Sequence, residues 1–160
     1  MRTRTRLGIA GLTAVAAVAV TTPALADGGS SDSGPSDRGC ARQFDEAQRV
    51  DMESFRDYDA ETFRAVHDER AITIFASGAK FTGVDAIMTA LASHFANREA
   101  LWSWTEVYRV VDGCNSAFIL YETVYEIPRI GFRQHAYTGV TYSHDGHRWL
   151  AIADQGTALP

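Results

Sequence analysis

The sequence predicts an α+β domain in which a curved, mostly antiparallel sheet wraps around two or three N-terminal helices. Two observations predict this fold class. Before Ala100, apolar residues recur at helical spacing, whereas the chain after it consists of long β-branched and aromatic runs separated by Asp-Gly turn signals. Helices followed by an antiparallel meander indicate one sheet with the helices gathered on one face. We expect a cavity between these two layers.

The first 26 residues have the pattern of a cleaved secretion signal. Arg2, Arg4 and Arg6 precede an apolar run from Leu7 to Val20, and a small-x-small cleavage site ends at Ala26. We therefore expect cleavage near Ala26 and a secreted, extracellular protein that has no membrane contact afterwards. The alternative is an uncleaved membrane anchor.

Residues 27–39 contain Gly, Ser, Asp and Pro and predict a flexible leader, followed by a single domain over residues 40–157. Cleavage removes three of the 15 basic residues and none of the 20 acidic ones, which leaves a net charge of −8 before histidine is counted. A chain this acidic is a poor partner for nucleic acid or an anionic membrane surface.

The helices are predicted over residues 40–58, 60–67 and 84–97, with Asp59 as one N-terminal cap and Thr82 in a capping-box-like start. The strands are predicted over residues 71–76, 101–111, 116–127, 132–143 and 148–154.

The hairpin after Ala100 predicts two distinct sheet faces. If Gly113 and Cys114 are the central turn residues, Thr105 lies opposite Glu122. One face then carries an aromatic group that includes Trp102. The other face carries Thr105, Phe118, Leu120, Glu122 and Val124. Both faces are apolar, so we expect helices to cover one and a partner or ligand to cover the other, and a one-residue slip would exchange them.

The two cysteines, Cys40 and Cys114, fall at the start of the first helix and in this hairpin turn. Export favours their pairing in a disulfide. Such a bridge closes about 75 residues and stabilises the fold by about 4 kcal/mol in the chain-entropy model. The alternative is a pair of free thiols.

Four segments together resemble the nuclear transport factor 2-like superfamily, which includes SnoaL-like cyclases and ketosteroid isomerases. They are the helix pair 44–67, the strand 71–75, the segment Phe-Thr-Gly-Val-Asp-Ala-Ile at 81–87, and the closing residues 145–152. The resemblance covers nearly all of residues 40–157 and identifies an exported bacterial member. It implies a cone-shaped pocket between helices and sheet, and dimerisation through the outer sheet face.

The isomerase chemistry of that superfamily does not carry over to this sequence. Matching by element order places the family's general base at Phe75, its tyrosine donor at Asp51 and its protonated aspartate donor at Thr138. Without a base to move a proton and an oxyanion site to hold an enolate, that mechanism has no machinery here.

Three other residues are candidates for acid/base chemistry. Asp51 falls on the apolar stripe of the first helix, Glu122 lies on the face that the resemblance turns toward the cavity, and His94 lies on the inner face of the third helix. Two carboxylates and a histidine at one pocket suit proton transfer or activation of a water. The alternatives are that Asp51 points to solvent, that Glu122 pairs with Arg109 or Arg133, and that His94 is a hydrogen-bonded core residue.

The other residues expected to line the pocket are Phe55, Phe75, Thr105, Phe118, Leu120, Thr138 and Trp149. The possible metal ligands in the C-terminal part of the chain are His135, His144, His147, Asp145 and Asp154. His144 and His147 flank a tight turn, and no helix places these residues on one common face. We therefore predict neither a metal nor a cofactor.

These observations predict an exported domain that binds a small, largely apolar molecule. The sequence leaves open whether the domain converts that molecule by cofactor-free acid/base chemistry, such as isomerisation, cyclisation, dehydration or hydrolysis. The alternative is a non-catalytic module whose cavity is plugged by Phe75, Phe118 and Trp149. Its aromatic outer face, around Trp102 and Trp104, then forms a homodimer.

Overall fold

The computed structural model describes the backbone of residues 35–160 and the side chains of residues 38–160. The predicted secretion signal and most of the predicted leader lie outside these residues. The first helix begins at Pro35, four residues before the end of the predicted leader. None of the helices in the described part of the chain is both long and apolar enough to cross a membrane.

The helices are α1 (Pro35–Arg56), α2 (Ala60–Ala65), α3 (Val84–Ala90) and α4 (Ala92–Asn97). The Asp59 carboxylate caps α2 by accepting a hydrogen bond from the Thr62 backbone N–H at 3.0 Å, as predicted. Thr82 does not cap α3, because Gly83 occupies the cap position with a φ of 86°. The helix predicted over 84–97 is interrupted at Leu91, whose φ of −92° and ψ of 3° leave the α-helical region.

The strands are β1 (His67–Ile74), β2 (Lys80–Thr82), β3 (Leu101–Asp112), β4 (Ser116–Ile127), β5 (Phe132–His144) and β6 (Trp149–Ala158). They form one six-stranded sheet in the order β2-β1-β6-β5-β4-β3. Only β1 and β6 are parallel, so the sheet is mostly antiparallel. The predicted fold class is therefore confirmed, with one additional short edge strand, β2.

The register of the β3–β4 hairpin is confirmed at its centre, where Thr105 pairs with Glu122. The turn itself has three residues rather than two, because Asp112 pairs with Ser116. A register shift at Val107 compensates for the additional turn residue. Between the shift and the turn, each β3 residue therefore shares a face with the β4 residues from which the prediction separated it; Tyr108, for example, pairs with Leu120 rather than with Ile119.

The two sheet faces are exchanged relative to the prediction. The buried residues of β4, which lie beneath the helices, are Ala117, Ile119, Tyr121 and Thr123. Phe118, Leu120 and Glu122 therefore lie on the outer face. Alternation along a strand separates two faces but does not say which one is covered when both are apolar. The helices cover the face with the large aromatic rings, where more apolar area leaves water.

A main core lies between α1 and strands β4 to β6. Its fully buried members include Phe44, Ile119, Tyr142, Trp149 and Ala151. A smaller cluster joins α2, α3 and β1 around Phe63, Ala71 and Ile87. The sheet and the helices separate between these clusters, and this leaves the cavity described below.

The predicted disulfide between Cys40 and Cys114 is present and ties α1 to the turn between β3 and β4. The Trp149 indole N–H donates to the Cys40 carbonyl oxygen at 3.1 Å and holds the same turn of α1 against β6. The N-terminal half of the helix is thus fixed by a covalent bond and a hydrogen bond.

Candidate functional site

An open cavity of about 290 Å³ lies between the helices and the inner face of the sheet. Its wall is mostly apolar and includes Met52, Phe55, Phe63, Ile74, Phe75, Leu91, Trp102, Phe132, Ala136 and Val140. Its polar lining residues are Asp51, His67, Thr73, Ser93, His94, Thr123, Tyr125, Gln134, Thr138 and Asp154. Ser93 and Phe132 are exposed and form part of the rim, whereas Asp51, His67 and Thr73 are deeply buried.

The structure places three of the predicted pocket residues, Phe55, Phe75 and Thr138, at the cavity wall. The predicted placement of Thr105, Phe118 and Leu120 is corrected, because all three lie on the outer sheet face after the exchange of faces. Trp149 is also not a lining residue: it is buried in the main core, with its ring centroid 5.2 Å from that of Phe44. The cavity is therefore not plugged by Phe118 or Trp149.

Glu122, one of the three candidate catalytic residues, lies on the outer face and does not reach the cavity. Its carboxylate is 2.6 Å from His135 Nε2. The Arg partners considered for it are used elsewhere: Arg109 pairs with Glu106 and Asp45, and Arg133 pairs with Glu126. Glu122 therefore has a structural partner on the outer face, as in the alternative considered for it, but that partner is His135 rather than an arginine.

Asp51 lies at the buried end of the cavity, with 4% of its surface exposed. Helical spacing places it on the face of α1 that also carries Phe44, Met52 and Phe55. The Tyr142 hydroxyl donates to its Oδ2 at 2.6 Å. Burial raises the pKa of the Asp51 carboxyl, and the nearby His67 and this hydrogen bond offset part of the increase.

Asp154 is a second cavity carboxyl, which sequence reasoning did not assign to the site. It lies on β6 between Thr73 of β1 and Val140 of β5, both of which are buried lining residues. Partial burial, together with the charge of Asp51, raises the pKa of Asp154 to about 7. An acid with a pKa in this range exchanges its proton readily at neutral pH.

A register shift in β6 explains why Asp154 was missed. Tyr142 pairs with Ala151 and Thr141 pairs with Ala153, so Ile152 is an additional residue on β6. Strict alternation from the buried Trp149 and Ala151 would turn Asp154 away from the helices. The additional residue reverses the alternation and turns Asp154 inward. No feature of the sequence marks this shift.

His67 was also missed and lies beside Asp51. Its Nδ1 donates to the Phe63 carbonyl oxygen at 2.7 Å, which leaves Nε2 facing Asp51 Oδ1 at 3.9 Å. That distance is too long for a hydrogen bond but short for an electrostatic interaction. His67 is the first residue of β1, directly after α2, and a polar residue at such a junction is ordinarily interpreted as part of a turn.

His94 lies at the cavity as predicted, but both of its ring nitrogens have partners. Nε2 donates to the Phe55 carbonyl oxygen at 2.7 Å, and Nδ1 lies 3.1 Å from the Tyr125 hydroxyl. The ring stacks on Phe55 with centroids 3.9 Å apart. Burial lowers the pKa of His94 and keeps the ring neutral, although the bond to the Phe55 carbonyl opposes this effect. His94 therefore joins α1, α4 and β4 in this structure.

The buried end of the cavity thus combines two carboxyl groups, one histidine and the Thr73 hydroxyl. Thr73 is only 3% exposed, yet its hydroxyl has no hydrogen-bond partner among residues 38–160. Because Thr73 lines the cavity, a bound molecule or water is expected to supply the partner of this hydroxyl. Within the same residues, no group of three or more His, Cys, Asp or Glu side chains is arranged to hold a metal ion.

Comparison with solved structures identifies the fold. An NTF2-like protein with a cystatin-like fold from Novosphingobium aromaticivorans superposes with a TM-score of 0.64 at 16% identity, over 76% of this chain and 83% of its own. An NTF2-like protein of unknown function from Pseudomonas putida gives a TM-score of 0.63 at 14% identity, over 76% of this chain and 88% of its own.

A putative calcium/calmodulin-dependent protein kinase type II association domain from Thiobacillus denitrificans gives a TM-score of 0.62 at 13% identity, over 72% of this chain and 94% of its own. No protein-family model and no curated protein matches the sequence. At these identities the comparisons establish the architecture alone: the chain has the NTF2-like fold, as the sequence resemblance implied.

Proposed function

We propose that this chain binds a small, largely apolar molecule in the cavity between its helices and its sheet. The observation that carries the proposal is an open cavity of about 290 Å³ whose wall is mostly apolar and whose buried end is polar. This is the usual composition of a small-molecule site, in which apolar surface provides affinity and a few polar groups fix orientation.

A cavity-filling substitution tests the proposal. Ala90, the last residue of α3, lines the cavity, whereas Ala96 on α4 is exposed and lies outside it. We expect a thermal-shift screen of apolar compounds that each carry one polar group to yield ligands for the wild type. Ala90→Phe should weaken them by at least about 10-fold in calorimetry, while Ala96→Phe should not. Equal binding by wild type and Ala90→Phe would place the ligands elsewhere and contradict the proposal.

A second candidate function is cofactor-free acid/base catalysis on the bound molecule. It is favoured by Asp154, whose pKa of about 7 suits proton transfer at neutral pH, and by the neighbouring Asp51. The expected reactions are those that need only a proton donor and acceptor, such as isomerisation, cyclisation, dehydration or hydrolysis. In this proposal the acid/base residues are Asp154 and Asp51, in place of the three candidates that the sequence suggested, which are Asp51, Glu122 and His94.

Turnover of the screened ligands, followed by proton NMR, tests this second candidate. Asp154→Asn should abolish product formation even at ligand concentrations that saturate the variant, because it removes the exchangeable proton but keeps the shape of the side chain. Glu122→Gln is the matched control, since Glu122 is a carboxylate of the same domain that lies on the outer face. The candidate fails if no ligand is converted, or if conversion is the same in Asp154→Asn.

We also propose that the protein is exported, which the N-terminal sequence pattern supports. Arg2, Arg4 and Arg6, the apolar run and the site at Ala26 have the order of a secretion signal. The Cys40–Cys114 disulfide is compatible with an oxidising compartment. Mass spectrometry of the protein from culture medium should find a chain that begins at Asp27. Retention of the full-length chain in the cells would contradict export.

A further inference from the structure

We propose that the ligand of this cavity carries a protonated amine, which Asp51 and Asp154 bind at the buried end while the aromatic wall holds its apolar body. The inference rests on the proposed small-molecule site and specifies the chemical class of its ligand. Three observations on the cavity support it: the charge of its lining, the unused acceptors at its buried end, and the nature of its wall.

The charge of the lining favours a cation. Asp51 and Asp154 are the carboxylic acids among the described lining residues, and none of those residues is Lys or Arg. An anionic ligand would therefore meet two carboxyl groups with no Lys or Arg to balance its charge, since His67 Nε2 faces Asp51 and both ring nitrogens of His94 have partners. A cation, in contrast, would offset the repulsion between Asp51 and Asp154 that the structure places at one end of the cavity.

The unused acceptors match the donors of an ammonium group. Asp51 Oδ1 has only the 3.9 Å interaction with His67, because its hydrogen bond from Tyr142 goes to Oδ2. The Asp154 carboxyl and the Thr73 hydroxyl have no hydrogen-bond partner among residues 38–160. Three acceptors on three separate elements thus face the buried end without a donor. A primary ammonium group offers three N–H donors, and bonds between charged partners are the stronger ones.

The wall accommodates the rest of such a molecule. Phe55, Phe63, Phe75 and Trp102 supply aromatic surface between the buried end and the rim. Aromatic faces pack against an apolar body and also attract a cation through their quadrupole. The structure therefore offers complementary surfaces to both halves of an apolar amine.

A neutral ligand with a carbonyl group is the competing class, and pH separates the two. A carbonyl accepts hydrogen bonds only and gains donors where the carboxyl groups are protonated, so its binding weakens as pH rises from 5 to 8. An ammonium group needs ionised carboxylates, so its binding strengthens over the same range. The ionisable groups that face the buried end are Asp51 on α1, His67 on β1, Tyr142 on β5 and Asp154 on β6. The other cavity groups, His94 and Tyr125, bond to each other.

Three isosteric probes test the inference: 2-naphthylmethylamine, 2-naphthylmethanol and 2-naphthoate. Calorimetry at pH 7.5 should find the amine bound about 10- to 100-fold more tightly than the alcohol, and the carboxylate bound most weakly. The affinity of the amine should increase between pH 5 and pH 8. Asp51→Asn and Asp154→Asn should each reduce the preference for the amine at least about 10-fold and leave the alcohol unchanged.

Glu122→Gln is the control for general acidity, because it removes one negative charge on the outer face and should keep the amine preference. Circular dichroism checks that each variant is folded. If Asp51→Asn does not fold, the two single variants Asp154→Asn and Thr73→Val provide the test. An alcohol that binds as tightly as the amine overturns the amine inference alone. The same follows if the preference survives in Asp154→Asn and Thr73→Val. If neither the wild type nor Ala90→Phe binds any of the probes, the result counts against the cavity as a binding site and thus against the proposed function itself.

Discussion

Asp154 combines partial burial, a neighbouring carboxyl group and the lack of a hydrogen-bond donor among residues 38–160, a combination that costs stability when the group is ionised. Burial and the charge of Asp51 raise its pKa from 3.8 to about 7. The folded protein therefore retains a proton that the unfolded chain releases between these values. The contribution of Asp154 to the free energy of unfolding is therefore fully present below about pH 4 and is lost as the pH rises through about 7.

We predict that Asp154→Asn is stabilised relative to the wild type as the pH rises. Asparagine removes the ionisation, and each unit of pKa difference corresponds to about 1.4 kcal/mol. The free energy of unfolding of the variant relative to the wild type should therefore increase by about 2 kcal/mol between pH 5 and pH 8. Urea denaturation at the two pH values measures this difference. Glu61→Gln, an exposed site on α2, should show no such increase. A difference that is equal at pH 5 and pH 8 would contradict the prediction.

The candidate acid/base residues were placed correctly from the sequence only where helical periodicity determines their direction. Asp51 and His94 lie on helices and were both placed at the cavity, because a stripe of apolar neighbours defines the inner side of a helix. Glu122 and Asp154 lie on strands and were both misplaced or missed. Asp154 was missed because of the register shift at Ile152, which depends on tertiary pairing. Glu122 was misplaced because alternation along a strand does not say which face the helices cover.

At the scale of elements, α1 supplies the cavity with Asp51, Met52 and Phe55, and several separate contacts hold it against the sheet. The disulfide fixes Cys40, and the Tyr121 hydroxyl donates to Gln48 Oε1 at 2.6 Å. The Tyr142 hydroxyl bonds to Asp51 further along the helix. The disulfide therefore lies away from the cavity half of α1, and its removal should affect stability more than binding.

We predict that the double substitution of Cys40 and Cys114 by Ser lowers the free energy of unfolding by about 2–4 kcal/mol. The bridge spans a sequence separation of 74 residues, and its loss restores conformational entropy to the unfolded chain. Ligand affinity at temperatures well below unfolding should change less than about 2-fold, because the cavity half of α1 keeps its own contacts. Urea denaturation and calorimetry measure the two effects, and wild type treated with reductant is the control for chemical damage. A large loss of affinity in the folded variant would contradict the separation of these roles.

The elements themselves were largely predictable, and the differences have local physical causes. The third predicted helix is divided at Leu91, although its apolar periodicity continues through both parts, because periodicity does not register a single residue that leaves the helical region. Strand β2 is only three residues long, which is too short for an alternating pattern to be recognised. The bounds of β4 were correct because turns flank it on both sides.

At the scale of the whole molecule, the sequence predicted a sheet that is apolar on both faces, and only the structure showed which face the helices cover. The outer face of β3 to β5 consequently differs in composition from the one expected around Trp102 and Trp104. Its apolar members are Leu101, Tyr108, Val110, Phe118, Leu120, Val124 and Tyr137. Phe118 lies over Gly139, where a Cβ atom would approach the ring to 3.0 Å, so the absence of a side chain at Gly139 keeps this part of the face flat.

We propose that two copies of the chain associate through this outer face. Apolar residues that lie together and exposed on one sheet face often form an interaction site, and a two-fold axis lets the same patch serve both copies. We predict that the wild type shows a concentration-dependent monomer–dimer equilibrium in sedimentation equilibrium. Val110→Lys, at a site that is 47% exposed on the face, should weaken dimerisation at least about 10-fold by placing a charge in the contact.

Ile130→Lys is the matched control for this prediction, because Ile130 is an apolar residue that is 59% exposed in the turn between β4 and β5. It makes the same chemical change outside the outer face and should leave the dimerisation constant unchanged. A wild type that is monomeric at its highest soluble concentration would contradict the proposal. So would an equal effect of Val110→Lys and Ile130→Lys, since a change in net charge alone would then account for both. Because the cavity and the outer face lie on opposite sides of the sheet, ligand affinity should be the same in Val110→Lys as in the wild type.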